Sequence, residues 1–143
     1  MIKFPLHFEV FAEAQPGIST IWKAQANTHT QIDCCIPVEF SGPGGGYSSE
    51  DFFALAIINC IIGAFKFFCE KNNQSFKTIK GKAGLKVESA TNKIMKFTAI
   101  DIVFDIEGAS NIEKVKKLLD EAISNCPVCN SIQIPKTLHI SIK

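Results

Sequence analysis

The chain has 143 residues, enough for one compact domain with a sizeable core. Hydrophobic residues make up 46% and charged residues 20%, and the net charge of +1 gives no electrostatic case for binding nucleic acid. All fifteen basic residues are lysines; the chain contains no Arg.

Residues 2–12 alternate, with Ile2, Phe4, Leu6, Phe8 and Val10 on one face and Lys3, His7 and Glu9 on the other. That pattern predicts a half-buried strand. A turn at Pro16-Gly17 leads to a return strand over 18–26, carrying Ile18, Ile21 and Trp22. Residues 29–40 alternate again through Ile32, Cys34, Ile36, Val38 and Phe40, so three successive strands predict an antiparallel meander. The N-terminal segment lacks the apolar block and small-residue cleavage site of a signal peptide. The expected compartment is therefore the reducing cytoplasm, where cysteines serve as reactive, metal-binding or buried residues rather than as a disulfide framework.

The stretch 41–49, "SGPGGGYSS", reads as a flexible loop in which Ser48 or Ser49 caps the next helix. That helix is predicted from Glu50 to Lys71. Residues 52–69 are apolar except for Asn59 and Lys66, and as a helix they are roughly 27 Å long, near the lower limit for crossing a bilayer. Glu50 and Asp51 at its entry, Lys66 within it and the α+β pattern around it favour a buried helix with no membrane partner. A helix apolar on nearly every side needs cover on nearly every side. A homodimer that packs it between subunits supplies that cover.

Strands are predicted over 76–88 and 94–106, with "SATN" as the turn between them. Asn111 caps a helix over 111–124 whose Ile112, Val115, Leu119 and Ala122 share a face. Leu138, Ile140 and Ile142 alternate in a closing strand. No repeat or linker divides the chain, so 1–143 reads as a single α+β domain.

Chemistry concentrates in the six cysteines. Cys126-Pro127-Val128-Cys129 is a C-x-x-C. A zinc site needs about four ligands, and no second C-x-x-C completes one. Cys34, Cys35 and the histidines His7, His29 and His139 are scattered without ligand spacing. A thioredoxin-type pair follows a buried strand, whereas this one follows a helix. Pro127 suits a first helical position, which puts Cys126 at an N-cap, where a helix dipole lowers a thiol pKa. Cys60 sits mid-helix, and a free cysteine there is most often a small buried hydrophobe. Cys69, nine residues on, is off that face and reads as structural or peripheral. Cys34 and Cys35 point to opposite faces of a strand and read as packing residues.

Two segments carry a resemblance. "GGGYSSEDFFALAIINC" and "NCPVC" resemble the two motifs of the osmotically inducible protein C and organic hydroperoxide resistance family. The resemblance implies an OsmC-like fold: antiparallel sheets around a long central helix, in an intertwined homodimer. It pairs Cys60 with Cys126. Cys60 would attack an organic hydroperoxide and become a sulfenic acid, Cys126 would close the disulfide, and an external thiol such as a dihydrolipoyl dithiol would reset the pair. No cofactor or metal is implied. Cys129 is then either neutral or a second resolving thiol. Glu50, ten positions before Cys60, matches the family's glutamate, which orients an Arg from the N-terminal strands. With no Arg, Lys23 is the auxiliary candidate, though a lysine lacks the planar fork. Glu50 alone would raise the Cys60 pKa, and it also suits a helix start for dipole reasons. Three readings follow: a thiol-dependent hydroperoxide reductase; a non-peroxidase protein of the same fold that binds a small apolar molecule in the dimer groove; and a redox-sensing or zinc protein using Cys126 and Cys129.

Overall fold

A computed structural model describes residues 3–143; Ile2 of the first predicted strand lies outside them. The chain divides into two compact units, Met1–Phe52 and Phe53–Lys143.

The first unit is a small meander of β1 (Val10–Glu13), β2 (Trp22–Ala26) and β3 (Ile32–Cys34), in the order β1-β2-β3 and antiparallel throughout. The strands are much shorter than their alternation predicts. Residues 3–9 form no strand, and Phe4 and Phe8 are 79% and 89% exposed. A face of apolar side chains does not make a strand without a ladder partner, and Pro5 has no N–H to contribute to one. Ile18 and Ile21 also lie exposed outside β2. Pro37 ends the third strand in the same way, and a 3-10 turn at Val38–Phe40 takes up the rest of the predicted 29–40 element.

The glycine loop is pinned rather than flexible. Tyr47 N–H donates to Asp33 O at 2.8 Å, Cys35 N–H to Tyr47 O at 3.1 Å, and Gly46 N–H to the Cys35 sulfur at 3.3 Å. A Cβ on Gly46 would stand 2.9 Å from Asp33 O, so only glycine permits this approach. Cys34 and Cys35 are both buried here, as packing residues.

Helix α1 (Ser49–Lys71) starts in the first unit and runs through the second. Ser48 is its cap. Asp51 N–H donates to Ser48 Oγ at 3.1 Å, and the Asp51 carboxylate accepts from Ser48 N–H at 2.9 Å, a reciprocal capping pair.

The second unit holds β4 (Thr78–Ser89), β5 (Met95–Glu107), α2 (Ile112–Ser124), α3 (Pro127–Asn130) and β6 (Lys136–Ile142). β4 and β5 form a long antiparallel hairpin, and β6 lies parallel to β5 on its other side. Period-two patterning sets the faces. Ile100, Ile102, Phe104 and Ile106 of β5 point inward and are buried, while Asp101 and Asp105 point out. The Phe104 ring lies against Gly81 of β4, where a Cβ would sit 2.9 Å from it. Asn111 Oδ1 accepts from Lys114 N–H at 2.9 Å and caps α2 as expected. Val115, Leu118, Leu119 and Ala122 form its buried stripe; Ile112 is exposed, one turn short of the core. With Ile57, Ile61, Phe65 and Cys69 of α1, these side chains form one continuous cluster that includes Cys126 and Cys129. Cys69 is thus a core residue, not a peripheral one.

Helix α1 is not enclosed. It is long and apolar enough to cross a membrane by length and composition, yet its buried residues follow a single stripe at every fourth position. Within one chain only 22% of its apolar stretch is buried. The sheet and α2 cover that stripe; Phe53, Ile58, Ile62 and Phe68 on its flanks are half-buried against the same core, and Phe67 is exposed.

Candidate active site

Cys60 and Cys126 are 66 positions apart in sequence, and the second unit packs both into one core, close enough for each to act on the other's ionisation. Cys60 comes from α1, on the flank of the buried stripe and half-buried. Cys126 comes from the corner between α2 and α3 and is fully buried. That corner is held tightly. Asn125 Nδ2 donates to Glu121 O at 2.8 Å, Cys126 N–H to Ile123 O at 3.3 Å, and Asn130 Nδ2 to Ser124 O at 3.1 Å. Pro127 cannot continue α2, since it lacks an N–H, but its fixed φ suits the first position of α3. Cys126 is therefore the N-cap of α3, as the sequence predicts, and its sulfur accepts from Cys129 N–H at 3.3 Å.

The start of α3 serves both thiols. Cys129 N–H donates to the Cys126 sulfur at 3.3 Å, and the Val128 backbone lies near enough to Cys60 to favour its thiolate. These amides favour the thiolates, but burial outweighs them. Burial, and then the hydrogen bond to Cys126, push the Cys60 thiol above its ordinary 9.0. Burial likewise pushes Cys126 up, against the pull of the Cys60 and Cys129 hydrogen bonds. The lowered pKa expected for an N-cap cysteine is thus reversed: a helix of four residues has little dipole, and an apolar core disfavours charge.

Cys129 is the third member. Its thiol contacts Cys126, whereas the groups acting on Cys60 are Cys126 and Val128. Cys126 is thus the thiol on which both of the others act. The i, i+3 spacing signals the second contact; nothing in the sequence signals the Val128 amide.

The other candidates lie in the first unit. Glu50 is half-buried on the first turn of α1, where Ser49 Oγ donates to its carboxylate at 3.1 Å. Ten residues of helix put roughly 15 Å of rise between Glu50 and Cys60. Asp51, not Glu50, is the carboxylate that caps the helix. Lys23 forms an ion pair with Asp33, its exposed cross-strand partner. The first unit also carries an open apolar hollow of about 700 Å³, lined by Val10, Trp22, Ala24, Ile32, Tyr47 and Phe52 among others. Among the described residues no group of three or more His, Cys, Asp or Glu side chains is arranged to hold a metal ion.

The family model for OsmC-like proteins matches residues 42–141, a span that includes the glycine loop, α1, the long hairpin and all three clustered thiols. The chain belongs to the OsmC-like protein family. Its fold agrees. An OsmC-like protein of unknown function from Vibrio cholerae superposes with a TM-score of 0.80 at 13% identity, covering 95% of this chain and 99% of that one. An organic hydroperoxide resistance protein from Legionella pneumophila gives 0.75 at 19% identity, covering 99% of each. One from Elizabethkingia anophelis gives 0.78 at 16% identity, covering 99% of this OsmC-like chain and all of the other. No curated protein matches significantly. At these identities the likeness establishes the fold alone.

Proposed function

We propose that this OsmC-like protein is a thiol-dependent organic hydroperoxide reductase. The observation that carries the reading is that Cys60 and Cys126, far apart in sequence, pack together in one apolar core. The Cys60 sulfur attacks the outer peroxide oxygen, the O–O bond breaks, and the alcohol leaves with a proton. The proton that the Cys60 thiol gives up is the one the departing alkoxide takes, so thiol and hydroperoxide become sulfenic acid and alcohol. Cys126 then attacks the Cys60 sulfenic acid, water leaves, and a disulfide forms. A small dithiol reduces it in two exchange steps. Several neighbours in fold are named organic hydroperoxide resistance proteins, which supports the substrate class.

The reading includes a homodimer in a reducing compartment. The half-buried flanks of α1 and the exposed Phe4, Phe8, Phe11 and Ile18 are apolar surface that a second copy would cover. It also includes a limit on rate. With no Arg in the chain and both thiols pushed up by burial, the thiolate fraction at neutral pH is small, so reaction is slower than at a cation-stabilised cysteine.

The apolar hollow favours the second reading, a binder of small apolar molecules. Cumene hydroperoxide turnover with a dithiol reductant separates the two. Wild type should consume peroxide continuously, and Cys60→Ser should fall to background. Wild type at the background rate, with saturable binding of an apolar fluorophore, would instead support the binder.

A further inference from the structure

Two thiols act on Cys126, and a two-cysteine cycle uses only one of them. Cys126 is the N-cap of α3 and Cys129 its third residue, the spacing of redox-active C-x-x-C pairs. Cys129 N–H already donates to the Cys126 sulfur at 3.3 Å, which holds the two residues together at the start of α3. Cys126 is wholly buried, while Cys129 is 8% exposed.

We propose that Cys129 relocates the disulfide, moving the oxidising equivalent from the Cys60–Cys126 pair to a Cys126–Cys129 pair nearer the surface. The proposal rests on the hydroperoxide reading for its first step. In the second step the Cys129 thiolate attacks Cys126 Sγ. The Cys60–Cys126 bond breaks, Cys60 leaves as a thiolate, and the Cys126–Cys129 bond forms. The proton lost by Cys129 ends on Cys60, and no further oxidant or reductant enters. A thiol on which both of the others act is what this exchange needs, because attacking and leaving thiols must both reach the central sulfur. Cys60 is then free again before any reductant arrives. A second hydroperoxide can oxidise it, but Cys126 is no longer available to resolve it.

The test is stoichiometry without reductant. Reduced wild type should consume two equivalents of cumene hydroperoxide per chain. It should end with a Cys126–Cys129 disulfide and a dimedone-reactive sulfenic acid on Cys60. Cys129→Ser should consume one and end as Cys60–Cys126, with no dimedone adduct. Wild type that stops at one equivalent, maps as Cys60–Cys126 and leaves Cys129 open to alkylation overturns the relay and leaves the hydroperoxide reading standing. Wild type that consumes none overturns the hydroperoxide reading instead, and diamide oxidation then decides the relay. Cys126–Cys129 with free Cys60 supports it; Cys60–Cys126 with free Cys129 overturns it. Cys60→Ser consuming hydroperoxide at the wild-type rate would show that Cys126 and Cys129 form a self-contained pair, against both proposals.

Discussion

The two compact units handle their apolar residues in opposite ways. In the second, strands of twelve and thirteen residues and two helices bury Phe65, Phe104, Leu119 and five isoleucines of β5 and α1 almost completely. In the first, strands of four, five and three residues leave Phe4, Phe8, Val10, Phe11, Ile18 and Ile21 exposed. Alternation is as regular at residues 2–10 as at 100–106. What differs is whether another layer stands opposite. A hydrophobic face contributes stability only through the surface it removes from water, so the same pattern is a core in one unit and an uncovered surface in the other.

The largest expected effect in this comparison is on stability. Phe65→Ala should cost about 3–5 kcal/mol in denaturant unfolding, because the ring leaves a cavity in a dense cluster. Phe8→Ala should cost less than about 0.5 kcal/mol when measured on dilute monomer. Equal costs would mean that the first unit is covered after all. Association comes next. Sedimentation should show a dimer at micromolar concentration, and Phe8→Lys should weaken it while leaving the unfolding of the second unit unchanged. A stable monomer would break the link between uncovered apolar surface and a second copy.

A smaller effect comes from pH. Burial alone pushes the Cys69 thiol up. Its folded pKa is above its unfolded value, so the full stability of the reduced protein is present below the ordinary thiol value of 9.0 and is lost as pH rises towards the folded pKa. Urea midpoints taken in reductant at pH 7 and pH 10 should fall at the higher pH, and Cys69→Val should flatten the fall. An unchanged slope would remove Cys69 as its source. The smallest effect concerns Lys23. Its ion pair with Asp33 is exposed, so Lys23→Met should change stability by less than about 1 kcal/mol. If Lys23 is the cation that assists Cys60, the same variant should move the alkylation profile of Cys60 to higher pH. An identical profile would leave Cys60 with the Val128 amide as its only anion-favouring contact among the described residues.

Much of this was legible in the chain. Long strands with strict alternation, the Asn111 cap and the Pro127 start of α3 are set by local rules that need no partner. The two cysteine motifs pointed to the family, and the family model covers them. The short strands of the first unit were not legible, because Pro5 and Pro37 remove donors from patterns that otherwise read as strands. Nor was the ionisation of the site. An N-cap position argues for a lowered thiol pKa, and only the packed core around Cys126 reverses the sign.

The sequence by itself determined which segments are helix and which strand in the second unit, and where α1 and α2 begin. Those are consequences of periodicity, capping and side-chain chemistry, all local. Tertiary structure alone decided that Cys60 packs in one core with Cys126 and Cys129, and that burial pushes the Cys60 and Cys126 thiols up. Each depends on how α3 sits against α1 in a shared core, and distance between residues far apart in the chain is set by packing.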